Sequence, residues 1–220
     1  PDHIRQIVRA VRPLDKATSE KTIHSRIQVR QATTAPVFNT VPLAKKSLLG
    51  RKLAEHKPIT CIELTPPRGV DAKKLIESAC LCADHGIDAI NIPDGPRASA
   101  RLSPLVTALK IEQAVNIETI LHVCCRDKNL IGLQSDLLGV HAMGLRNVLL
   151  ITGDPPKLGE YPDATGVFDL DAIALTQAAH NLNSGRDIAG NALPEPLLLT
   201  LGVGANPVAA DLDREIDRFK

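Results

Sequence analysis

Residues 148–157 read VLLITGDPPK, four apolar residues running straight into Thr152-Gly153-Asp154-Pro155-Pro156. This is the pattern of a buried strand that stops abruptly and leaves a carboxylate at its C-terminal mouth. The two prolines cannot continue a ladder and the glycine permits close backbone approach, so Asp154 is expected on a stiff corner. An Asp at such a place also commonly caps the following turn. The functional reading gains weight because similar strand ends recur along the chain.

Regular alternation begins at Ile59, where ITCIELTPPRG reads as a strand ending in Glu63 and a proline turn. The spacing predicts a helix over 71–85, then a strand over 88–92 (DAINI) ending in Pro93-Asp94-Gly95, and a helix over 103–115. The phrase repeats with a strand over 117–123 (IETILHV) carrying His122, a helix over 129–143, the strand over 147–151 and a helix over 171–182. A fifth strand is expected over 197–201 (LLLTL), running into Gly202-Val203-Gly204-Ala205-Asn206-Pro207, with a helix starting at Leu212.

Strands recurring about every 30 residues with a helix between them require parallel, right-handed crossovers. An open doubly wound sheet and a closed (β/α)8 (TIM) barrel both satisfy this. No GxGxxG follows the first strand, and polar residues sit at successive strand ends (Glu63, Asp94, His122, Asp154, Asn206). One mouth collecting ligands from every strand is the barrel arrangement, so the expectation is a barrel to which this chain supplies about the first five βα units.

The segment before Ile59 reads differently. Pro1 opens a short amphipathic pattern with Ile4, Ile7, Val8 and Val11 at helical spacing, ended by Pro13. It reads as the last helix of a preceding domain (1–14), so the chain is expected to be cut from a longer polypeptide. Residues 15–57 read as a connection containing one helix over 42–55, and 58–220 as the α/β unit.

Composition narrows the classes. Of the 220 residues 44% are hydrophobic, and 26 Lys and Arg against 25 Asp and Glu leave a formal charge of +1. There is no basic field for nucleic acid or an anionic membrane, and with no Trp, one Tyr and three Phe there is no base-stacking platform. No apolar run approaches the roughly 20 residues of a membrane span, and the first residues lack the apolar core of a signal peptide, so a cytoplasmic protein is expected. The five cysteines form no CxxC pair, and reduced, mostly buried thiols are expected rather than a metal site.

At the strand ends, Glu63 lies between Ile62 and Leu64, and an apolar setting there would raise its pKa and let it donate a proton near neutral pH. A salt bridge to Arg68 is the structural alternative. Alternation puts His122 and Cys124 on one face, with no third ligand or orienting group apparent, so hydrogen bonding from the ring to a cofactor or loop fits better than a nucleophile or metal site. The loop 155–168, PPKLGEYPDATGVF, is long for a βα connection and reads as a lid or binding segment, or as an ordered surface excursion.

CIELTPPRG, NIPDGPRASARLS, LHVCCRDKN, LLITGDPPKLGEYPDATGVFDLD and LGVGANP, in this order and spacing, resemble the methylenetetrahydrofolate reductase family over about residues 58–220. The likeness is greatest to the form fused behind a homocysteine S-methyltransferase domain, whose last helix residues 1–11 resemble. That domain's paired zinc cysteines are absent here. The resemblance implies a (β/α)8 barrel with FAD at the strand C-termini that reduces 5,10-methylenetetrahydrofolate to 5-methyltetrahydrofolate with NADH or NADPH, in one-carbon and methionine metabolism. It implies that Glu63 is the general acid that helps open the folate ring to an iminium cation, and that Asp154 stabilises that cation. Asp94, Gly95, His122, Thr152, Gly153, Gly202, Ala205 and Asn206 then fall where the family lines its flavin. Thr152 stands where many single-domain members carry an arginine, and Asn206 where some carry a histidine. The family's sixth to eighth strands are expected beyond Lys220. Partners implied are the folate and the upstream methyltransferase domain, and a homo-oligomer is compatible with the reading. The alternative is a non-catalytic module that binds folate or packs against its methyltransferase neighbour.

Overall fold

A computed structural model describes Ile27, Val29 and residues 36–220. The helix expected near the start of the chain lies outside the described residues, as does part of the connecting segment. Five parallel strands form one sheet in the order β1-β2-β3-β4-β5: Cys61–Glu63, Ala89–Ile92, Glu118–Cys124, Asn147–Ile151 and Thr200–Val203. The α-helices are α1 (Leu48–Ala54), α2 (Lys73–Asp84), α3 (Pro104–Ala114), α4 (Leu130–Ala142), α5 (Ala172–Asn183) and α6 (Leu212–Phe219).

The helices start where the sequence provides acceptors for their orphan N–H groups. Asn129 accepts from Gly132 N at 2.9 Å, Asp171 from Ala174 N at 2.9 Å and Asp211 from Arg214 N at 3.0 Å. Pro104, with its fixed φ and no N–H to satisfy, opens α3.

Parallel register aligns side chains across neighbouring strands. One face carries Ile90, Ile92, Leu121, Val123, Val148 and Leu150, and these pack in one core with Ala79 of α2, Ile111 of α3, Leu133, Leu137 and Val140 of α4, and Leu175 and Leu182 of α5. All four crossover helices therefore cover the same face. A doubly wound sheet would reverse its strand order at a switch point and carry helices on both faces. Here the five strands follow in sequence order and their four crossover helices share one face, unlike that pattern.

The other face carries Glu63, Asn91, His122, Cys124, Leu149, Ile151 and Gly202 towards the C-terminal ends, and Glu118, Asn147 and Thr200 towards the N-terminal ends. At that lower edge the helix expected over 42–55 is divided into a 3-10 turn, Leu43–Lys45, and α1, with extended Ser47 between them accepting from Gly50 N at 2.8 Å. The start of α1 sits on the sheet. Glu118 accepts from Leu48 N at 2.7 Å and Leu49 N at 2.9 Å, and Lys46 Nζ donates to Leu199 O at 3.0 Å. A carboxylate at a helix N-terminus is favoured by both the free N–H groups and the dipole.

The fifth strand differs from the expectation, beginning at Thr200 instead of Leu197. Leu197 N is taken by Leu182 O at 3.1 Å, and buried Asn183 both accepts from Leu199 N at 3.0 Å and donates to Leu199 O at 2.8 Å. With these groups engaged by the end of α5, pairing with β4 starts only at Thr200. No helix among the described residues is long and apolar enough to cross a membrane.

Candidate active site

The C-terminal ends of β2, β3 and β4 open into a cavity of about 460 Å³ lined by Asp94, Gly95, Arg97, His122, Arg126, Gly153 and Asp154, among others. Its volume is within the usual range of small-molecule sites. Two glycine corners shape it. Gly95 has φ +50° and a Cβ added there would lie 2.5 Å from Arg126 Nη2; Gly153 has φ +90° and an added Cβ would lie 2.0 Å from Cys124 Sγ. At both, the left-handed backbone and the close neighbour exclude a side chain.

Asp94 Oδ2 accepts from Cys124 N at 3.1 Å, and burial pushes its carboxyl above the ordinary value despite that bond and the nearby cations. His122 Nε2 donates to Asn91 Oδ1 at 3.1 Å, which leaves Nδ1 as the acceptor, and burial lowers the ring's pKa so that it is neutral at physiological pH. Cys124 Sγ donates to Thr152 O at 3.5 Å, and burial pushes the Cys124 and Cys125 thiols up to about 11 and about 12. Neither is a thiolate near neutral pH, which argues against a cysteine nucleophile here. All five cysteines are free, with Cys82, Cys124 and Cys125 buried and Cys61 and Cys80 exposed.

The loop 155–168 is packed down. Gly159 sits against the turn Pro96–Ala98, where an added Cβ would lie 2.4 Å from Arg97 O, and Val167 N donates to Arg126 O at 2.8 Å. Arg97 and Ala98 hold φ of 56° and 49°, a conformation that costs a non-glycine residue about 1–3 kcal/mol and tends to gather at functional sites. Arg68, in the turn after β1, pairs with Glu160 through both guanidinium ends. The alternative partner considered for Glu63 is thus engaged by the long loop instead.

The structure therefore brings Asp94, Gly95, His122, Gly153 and Asp154 to one cavity. Glu63 shares their sheet face, in register with Asn91, the partner of His122, but does not line that cavity. It is exposed on β1, so the apolar surroundings expected around it are not supplied by the described residues. Among the carboxyls lining the cavity, the one that burial perturbs is Asp94. Thr152 turns its hydroxyl to accept from Ala172 N at 3.0 Å, at the start of α5. Gly202 lies on the same face beside Leu149, whereas Ala205 and Asn206 lie on an exposed loop, where Asn206 Oδ1 accepts from Val208 N at 3.2 Å. Sequence reading missed Arg126 and Asn91; the available signal was polar residues at or just beyond strand ends, beside His122 and Asp94.

A parallel α/β scaffold with a polar cavity at its strand C-termini is an enzyme-like arrangement. A family model described as methylenetetrahydrofolate reductase matches residues 48–185, more than half of the chain, and the chain belongs to that family. The match begins at α1 and includes every residue lining the cavity. Among curated proteins the chain is similar to a "Probable methylenetetrahydrofolate reductase (NADH)" of Oryza sativa subsp. japonica, 26% identical over 166 residues. That alignment covers 73% of this chain and 28% of the rice protein, so the chain spans little more than a quarter of that relative's length.

Proposed function

We propose that the chain is the first part of the catalytic barrel of a flavin-dependent methylenetetrahydrofolate reductase, which reduces 5,10-methylenetetrahydrofolate to 5-methyltetrahydrofolate with NADH or NADPH. The observation that carries this reading is the cavity shared by Asp94, His122 and Asp154 within the family-matching segment. Its fit to a flavin rests on the volume and on the polar groups of Asp94, His122 and Asp154 that line it. When bound, FAD would supply the hydride-transfer chemistry between nicotinamide and folate.

In this reading Asp94, Gly95, His122 and Gly153 hold the flavin, and neutral His122 offers Nδ1 as an acceptor. With the side chains of Thr152 and Asn206 engaged in capping and turn bonds, these positions would reach the flavin through backbone, as would Gly202 and Ala205. Asp154 faces the iminium cation of the opened folate ring as a carboxylate. Glu63 delivers the proton that opens the ring, and the remaining strands and bound folate supply the apolar surroundings that tune it. The free cysteines suit the reducing cytoplasm. A homocysteine S-methyltransferase domain preceding the described residues completes the proposal, and the sequence of the native polypeptide upstream of Pro1 tests that part.

The experiment is Glu63→Gln in the native full-length protein, followed by separate half-reactions. The reading requires folate reduction to be abolished while flavin reduction by nicotinamide stays largely intact. Equal loss of both half-reactions removes Glu63 from the acid role. Folate uptake by a protein that takes no flavin favours the binding-module alternative.

A further inference from the structure

We infer that Arg126 is a positioning residue, a buried latch that locks the Asp94–Gly95 and Gly153–Asp154 corners to each other and thereby fixes the site of Asp154; its effect on catalysis rests on the function proposed above. Its side chain is only 4% exposed although it carries a full charge. The guanidinium plane is fixed by Asp127, to which Nε donates at 2.8 Å and Nη2 at 2.7 Å. Bidentate geometry of this kind sets direction as well as charge. Nη1 is thereby aimed between the two corners and donates to Gly95 O at 3.3 Å and to Asp154 O at 3.4 Å.

Two further observations point the same way. The backbone carbonyl of Arg126 accepts from Val167 N at 2.8 Å, so the far end of the long β4 loop is tied to the same residue. Gly95 approaches Nη2 so closely that an added Cβ would lie at 2.5 Å, so the first corner is built around this guanidinium. The loops after β2, β3 and β4 thus meet at one side chain. A lysine keeps the charge but cannot fork to Asp127 and reach two carbonyls together.

The test uses Arg126→Lys, with Arg126→Met as a second variant, in the native full-length protein. In flavin-free protein, hydrogen exchange at residues 93–98 and 152–158 should accelerate on the order of tenfold or more while β3 and β4 keep their protection. Unchanged exchange at either corner overturns the latch. In the flavin-loaded protein, Arg126→Lys should slow the folate half-reaction by about 100-fold, the scale of an ångström-sized misplacement, and by clearly more than it slows nicotinamide-driven flavin reduction. Combined with Asp154→Asn it should add less than about threefold, because the two residues act as a unit. Equal losses in both half-reactions, fully additive with Asp154→Asn, overturn the catalytic part. A protein that binds no flavin defeats the proposed reaction, while the exchange measurement still decides the latch.

Discussion

Replacing Gly153 by alanine forces a methyl group into space held by the Cys124 thiol. The added Cβ would lie 2.0 Å from Cys124 Sγ, while its distances to Arg126 Cβ and Cys124 Cβ, 3.5 and 3.6 Å, are ordinary contacts. The φ of +90° adds a second penalty that does not depend on the neighbour. Left-handed backbone costs an L-residue about 1–2 kcal/mol, and overpacking of a close-packed site typically costs about 1–3 kcal/mol. Gly153→Ala should therefore destabilise the protein by about 3 kcal/mol. Only the first component should remain once Cys124→Ala removes the sulfur, so in that background Gly153→Ala should cost about 1–2 kcal/mol. Urea unfolding of wild type, both single variants and the double variant measures the difference by linear extrapolation. A Gly153→Ala cost that is the same in both backgrounds within about 0.5 kcal/mol would refute the steric account of this corner.

Two further predictions concern charge. Burial holds the Asp94 carboxyl above its ordinary value, so the folded state keeps its proton to higher pH than the unfolded chain. The associated stability is fully present below the unfolded value of about 3.8 and is lost as pH rises through the folded value. Asp94→Asn, which can still accept from Cys124 N, should thus raise the unfolding midpoint at neutral pH, with a gain that shrinks towards zero in acid; a pH-independent loss in thermal scans would contradict this. At the lower edge, Glu118→Gln turns an amide N–H towards donors that now share a carboxylate, Leu48 N, Leu49 N and Asn147 Nδ2. A cost of about 2 kcal/mol in urea unfolding is expected, with faster exchange at Leu48 and Leu49; wild-type stability would show that α1 is not held by this carboxylate.

Much of the fold was legible because period-2 and period-3.6 patterns alternate cleanly from Ile59 onward. The crossovers, the parallel pairing and the strand ends at Asp94, His122 and Asp154 follow from that alternation. The start of β5 was not legible, because LLLTL reads as one continuous strand run while its first residues are claimed by Leu182 and Asn183, a tertiary effect with no local signature. The division of the helix over 42–55 followed from Ser47, a good cap placed inside an otherwise helical pattern. At the site, sequence spacing identified which strands end in polar groups but not which side chains turn inward. Thr152 spends its hydroxyl on α5, Arg68 goes to Glu160, and the buried carboxyl is Asp94 in place of Glu63. Arg126 escaped notice because a charged residue after two cysteines reads as surface until three loops are seen to close over it.

The most direct test of a folate-reducing flavin site is flavin absorbance of the native full-length protein under anaerobic conditions. It should bleach when NADH or NADPH is added and return when 5,10-methylenetetrahydrofolate follows, with 5-methyltetrahydrofolate formed in equal amount. A protein that takes up no FAD, or whose reduced flavin is not reoxidised by the folate, would contradict the account.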